Sequence, residues 1–173
     1  TEFDDKAASH KYREQDGRTA LISRTASMIS GKGMILTNSA GNTGAAEWKR
    51  IGFPGDAHDV LTVGALAPDS TNTTFSSVGP TYDGRVKPDV MAMGGYCTVI
   101  NGKGLVAHAN GTSFSTPITC GLVACLWQAL PNKTASEIMQ LVRESADRAD
   151  YPDNIFGYGI PDFWKAYQMG LNK

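Results

Sequence analysis

Chemistry in this chain concentrates at Ser113. The residue stands in Asn110-Gly-Thr-Ser-Phe-Ser-Thr-Pro117, a small glycine-hinged loop. The apolar run Ile118-Thr-Cys-Gly-Leu-Val-Ala-Cys-Leu-Trp-Gln-Ala-Leu130 follows it, and its length predicts a buried helix rather than a strand. Pro117 has no N–H and fits only the first turn of such a helix, so the helix is expected to begin near Ser113. The hydroxyl would then lie where unpaired N–H groups and the positive dipole end collect, which suits an oxyanion forming beside a serine nucleophile. An ordinary Ser N-cap would be built from the same residues. A second stretch, Gly33-Met-Ile-Leu-Thr-Asn-Ser-Ala-Gly-Asn-Thr-Gly44, runs a short apolar strand into small residues. If Asn42 ends a parallel strand, its amide points into the crevice where α/β folds bind ligands. A turn Asn beside a Gly is the alternative.

Together, Ser39-Ala-Gly-Asn42 and Gly111-Thr-Ser113 with Pro117 resemble motifs of the subtilisin-like serine proteases, the subtilases. That family carries an oxyanion-hole Asn in a Ser-Ala-Gly-Asn motif and its nucleophile in a Gly-Thr-Ser-x-x-x-Pro motif. Phe53-Pro54, Val60-Leu-Thr-Val-Gly-Ala65, Phe75-Ser-Ser-Val-Gly-Pro80 and Lys87-Pro-Asp-Val90 match further family segments in the right order. The resemblance covers roughly residue 16 to the end. It departs after Lys87-Pro-Asp-Val90, where Met93 replaces the proline of the usual Ala-Pro-Gly.

The resemblance implies a parallel-sheet α/β fold of the subtilisin-like kind, truncated on its amino-terminal side. It implies a serine endopeptidase that cleaves peptide or protein substrates through an acyl-serine intermediate. Ser113 would be the nucleophile, and the Asn42 amide with the Ser113 backbone N–H would form the oxyanion hole. Gly41, Gly52, Phe53, Pro54 and Thr112 would line the substrate cleft. Gly52 would floor the side-chain pocket, and the Phe53–Pro54 bond would be cis. The α/β-hydrolase elbow does not fit, because Gly111-Thr-Ser-Phe-Ser115 lacks the second glycine of G-x-S-x-G.

A serine hydroxyl is a poor nucleophile until a base takes its proton. The family order is Asp, His, Ser. The His precedes even the oxyanion Asn by a long stretch, so both partners are expected upstream of residue 1, and the isolated chain is expected to be inactive. His10 lies in a polar leader, His58 in a loop, and His108 five residues before Ser113 on the flank of the cleft. All three read as ordinary exposed histidines, with His108 the one to watch. The alternative is a pseudo-protease fragment that binds or assembles, since the free edge of a truncated sheet invites self-association.

The remaining composition narrows the class. Sixteen Lys and Arg against 17 Asp and Glu leave a net charge of −1, which gives no argument for nucleic acid or an acidic membrane surface. No apolar run is long enough to cross a membrane. The first residue is Thr and no signal-peptide pattern is visible, so the chain is expected to derive from something longer. A secreted or cell-envelope location follows from family analogy alone. Cys97, Cys120 and Cys125 form neither a disulfide framework nor a zinc spacing, and the latter two are expected as small buried thiols. Asp4-Asp5 reads as a solvated loop. No metal or other cofactor is read from the residues; structural calcium rests on the family alone.

The elements that must position the site follow from periodicity. Residues 16–31 predict a helix with Ala20, Ile22, Ala26 and Ile29 inward. Strands are expected at 34–38, 60–66 and 89–92, with a short one at 74–76. Residues 97–109 predict a hairpin turning at Asn101-Gly102. Thr134-Ala-Ser-Glu137 is a capping box opening a helix to about Ala146, with Ile138, Leu141 and Val142 inward. A last helix is expected around 163–169.

Overall fold

The computed structural model describes residues 9–172. Asp4 and Asp5 lie outside the described residues. Strands β1 (Leu36–Ser39), β2 (Val60–Leu66) and β3 (Val90–Met93) form a parallel sheet in that order. The apolar, β-branched run of β2 makes it the middle strand, and all seven of its residues are buried. One side of β1 pairs with no other strand among the described residues.

Alternation along β2 sorts its side chains between two layers. Val60 joins Ala26 and Ala57 on one face, beneath helix α1 (Leu21–Ser30). Leu61 and Val63 join Val90 on the other face, beneath α2 (Thr112–Ala129), α3 (Ala135–Ser145) and α4 (Phe163–Asn172). Val123 and Leu126 of α2 and Ile138, Leu141 and Val142 of α3 complete that core. Helices on both faces of a parallel sheet make the expected α/β fold.

The α3 capping box is present. The Thr134 N–H donates to Glu137 Oε2 at 2.7 Å, and the Glu137 N–H donates to Thr134 Oγ1 at 3.3 Å. A separate antiparallel hairpin, β4 (Cys97–Ile100) and β5 (Val106–Ala109), precedes α2. Its turn is wider than an Asn-Gly reversal: Asn101 Oδ1 accepts from the N–H groups of Lys103 and Leu105, and Gly104 takes a φ of 75°.

Several expectations need correction. Helix α1 starts at Leu21, because the Asp16 carboxylate accepts from the N–H groups of Arg18 and Thr19 and holds that segment in a turn. Its buried face is Ser23, Ala26 and Ser30, whereas Ile22 is half exposed. Small residues let α1 lie close to the sheet, and Ser23 Oγ donates to the buried Asp56 carboxylate at 2.5 Å. Residues 74–76 form turns, not a strand. Helix α2 is apolar throughout but buries only one face, and Ile118, Leu122, Cys120 and Cys125 are exposed. Cys97 is the buried thiol, and burial raises its pKa. Pro117 falls at the sixth residue of α2, not in its first turn. Its missing N–H leaves the Ser113 carbonyl without the usual i−4 donor, while Ser115 and Thr116 turn their hydroxyls onto the Thr112 carbonyl at 2.9 and 2.8 Å.

Candidate active site

Ser113 and Asn42 come together at the carboxyl ends of the strands. Ser113 is the second residue of α2, and its exposed side chain has no hydrogen-bond partner among the described residues. Asn42 lies just past β1. Its Oδ1 accepts from the Thr112 N–H and from Thr112 Oγ1, both at 2.9 Å. These two donors fix which end of the amide is oxygen, so the NH2 group is the end left for a ligand. Thr112 is fully buried, and its Oγ1 also accepts from the Gly41 N–H at 3.2 Å. One threonine thus ties the end of β1 to the start of α2. Ser39 adds a second tie, with Oγ 3.0 Å from Thr116 Oγ1.

Two glycines here adopt backbone conformations with positive φ. A Cβ on Gly41, whose φ is 109°, would stand 2.9 Å from Ser77 Oγ. At Gly111 the requirement is its φ of 158°, since a Cβ there would only touch Asn42 Nδ2 at 3.4 Å.

The segment after β1 forms a wall beside this pair. The Gly52 N–H donates to the Ala40 carbonyl at 2.8 Å, and the Gly55 N–H donates to the Gly52 carbonyl at 2.8 Å. The Phe53–Pro54 bond is cis. Hydrogen bonds thus link Gly41 and Asn42 to Thr112, and Gly52 to Ala40 beside them, with Phe53 and Pro54 following Gly52 in the chain. Sequence reasoning missed what buttresses the wall. Gln15 is fully buried and its Nε2 donates to the Ile51 carbonyl; the His10 ring packs on Phe53 with centroids 4.7 Å apart. No local pattern flags such contacts, because the partners are separated by more than 35 residues.

No histidine hydrogen-bonds to Ser113 among the described residues. His10 Nδ1 is 2.9 Å from Glu14 Oε2, and His58 Nε2 is 3.2 Å from the Asp16 carbonyl. His108 on β5 stacks on Tyr96 with centroids 3.9 Å apart. No cluster of three His, Cys, Asp or Glu able to hold a metal occurs among the described residues.

At the opposite end of the sheet lies a buried ion triad that the sequence did not announce. Asp89 Oδ2 accepts from Lys87 Nζ at 2.6 Å, and Oδ1 accepts from Arg143 Nε at 2.8 Å. Burial would raise the Asp89 pKa, but the Lys87 and Arg143 charges outweigh it and hold the carboxyl below its ordinary value. Burial pushes Lys87 down, opposed by the Asp89 charge. Lys87 Nζ also donates to the Val60 carbonyl at 2.9 Å, so the triad locks β3 onto β2 and α3.

Comparison with known proteins agrees with this arrangement. The subtilase family profile matches residues 6–159. The chain is 33% identical over 149 residues to serine protease AprX of Bacillus subtilis (strain 168), covering 73% of this chain and 34% of that protein. It is 28% identical to subtilisin DY of Bacillus licheniformis, covering 75% of this chain and 45% of that protein. Its backbone superimposes on the self-cleaved protease domain of PatA with a TM-score of 0.70 at 24% identity, covering 86% of this chain and 54% of that one. The chain belongs to the subtilase family and has the subtilisin-like fold. It spans less than half the length of these curated relatives.

Proposed function

We propose that this chain is the carboxy-terminal part of a subtilase catalytic domain and supplies the nucleophile and the anion trap of a serine endopeptidase. Ser113 attacks the scissile carbonyl of a peptide or protein substrate. The Asn42 amide and the Ser113 N–H stabilise the oxyanion, while Gly41, Gly52, Phe53, Pro54 and Thr112 seat the substrate. The observation that carries this reading is the double anchoring of Asn42 Oδ1 by Thr112, the residue next to Ser113, which leaves the amide NH2 as the end able to donate.

The Asp and His of the triad come from a segment outside this chain. None of the three histidines hydrogen-bonds to Ser113 among the described residues, which supports this. So does the surface that such a segment would cover: the unpaired side of β1, Leu21 and Met28 on α1, and Ile118 and Leu122 on α2. Covering this surface with another copy of the chain would instead make it an assembly module without catalysis. A secreted or cell-envelope location belongs to the proposal on family grounds; no helix among the described residues is long and apolar enough to cross a membrane.

The test is hydrolysis of an unfolded protein substrate by a protein that joins this chain to its natural upstream sequence. Activity that disappears in Ser113→Ala supports the reading. Activity unchanged in Ser113→Ala, or no hydrolysis by the joined protein, sinks it.

A further inference from the structure

A cavity of about 370 Å³ opens at the amino ends of β2 and β3, the far end of the sheet from Ser113. Arg85, Lys87, Arg143 and His58 line it, and Asp89 is the only carboxylate in the lining. That carboxylate is already shared between Lys87 and Arg143. Arg85 is paired with Asp83 just outside the lining, so three strongly basic side chains meet two carboxylates and the balance of the site is one positive charge.

Both arginines are held by Nε alone. Arg85 Nε donates to Asp83 Oδ2 at 2.9 Å, and Arg143 Nε donates to Asp89 Oδ1 at 2.8 Å. Arg85 Nη1 and Nη2 are shut off from solvent and have no acceptor. Buried guanidinium donors without an acceptor are costly, and turning them into the cavity would give up no hydrogen bond at those nitrogens. A guanidinium fork matches two oxygens of one anion. A cation finds the opposite situation, with Asp89 spent on Lys87 and Arg143 and Asp83 on Arg85.

We propose that this cavity is a binding site for a small oxyanion, gripped between the terminal nitrogens of Arg85 and Arg143 with the Lys87 charge behind it. The site is independent of the protease reading. Gln140 lines the mouth from α3 while remaining exposed. It allows the charge of the site to be altered without touching the buried triad.

The test is calorimetric titration of the purified protein with sodium phosphate, sodium sulfate and sodium acetate. Each is run at constant ionic strength set with sodium chloride. One-site saturation by an oxyanion that chloride does not reproduce is expected, and comparing acetate with the other two separates a carboxylate ligand from a phosphate-like one. Arg85→Gln and Gln140→Glu should each weaken the saturating anion roughly tenfold or more, the worth of one charge-assisted contact. Lys103→Gln, on the distant hairpin turn, should leave it unchanged. Absence of saturation by all three anions overturns the proposal. So does affinity unaltered by Gln140→Glu, a variant whose folding is not at issue.

Discussion

Thr112→Val removes one oxygen from the device that aims Asn42. Valine keeps the shape of the fully buried threonine. It deletes the 2.9 Å donation to Asn42 Oδ1 and the 3.2 Å bond from the Gly41 N–H. At roughly 0.5–1.5 kcal/mol per neutral hydrogen bond, the fold should lose about 1–3 kcal/mol. The catalytic effect should be smaller than full loss of the amide, because the Thr112 N–H still holds Asn42 Oδ1 at 2.9 Å. In subtilisin, removing the oxyanion-hole Asn costs about 2.7–4 kcal/mol, which sets the ceiling. Losing one of two anchors should cost about 1–2 kcal/mol, or roughly 5–30-fold in kcat with little change in KM. The assay is steady-state hydrolysis of a fluorogenic peptide by the protein carrying its upstream segment, with Thr112→Ser as the rescue. A loss seen in KM alone, or a kcat untouched in Thr112→Val while Asn42→Ala is slow, would refute the role given to this threonine.

Further outcomes follow from the same geometry. Asn42→Ala should lower kcat about 10²–10³-fold, with melting temperature and KM little altered, checked by parallel kinetics and calorimetry. Asp89→Asn leaves Lys87 and Arg143 facing a neutral amide and should destabilise the fold by about 3–5 kcal/mol, read as a lower Cm in urea. The folded Asp89 pKa lies below the unfolded value of about 3.8, so its contribution is complete above that pH and is lost as pH falls through the folded pKa. Asp89→Asn should therefore flatten the acid limb of stability, and an unchanged limb would exclude the triad as its source. Iodoacetamide should alkylate Cys120 and Cys125 in this chain while sparing Cys97 under native conditions. Joining the upstream segment should protect α2, which peptide mass mapping will report.

Local signals in the sequence were sufficient for much of this arrangement. The Thr134–Glu137 box and the unbroken apolar run of β2 each act within a few residues, and each occurs as expected. The errors arose where burial depends on a neighbour. An apolar α2 reads as buried on all sides, yet only the elements packed against it decide which face is covered. Helix α1 presents serines inward because Asp56, 33 residues away from Ser23, receives the hydroxyl. The Lys87–Asp89–Arg143 triad joins two residues just before β3 to a helix residue 54 positions beyond Asp89, a separation that no periodicity encodes. Gln15 buttressing Ile51 was illegible for the same reason.

The most direct measurement is labelling of Ser113 by a fluorophosphonate probe, with intact mass as the readout, on this chain alone and on the chain joined to its upstream sequence. Phosphonylation needs both an activated serine and a formed oxyanion hole. An adduct on the joined protein only, absent in Ser113→Ala, is the expected result. Labelling of this chain by itself would contradict the placement of the base outside it, and His108 would be the first residue to replace. Absence of labelling in both would contradict the nucleophile assigned to Ser113.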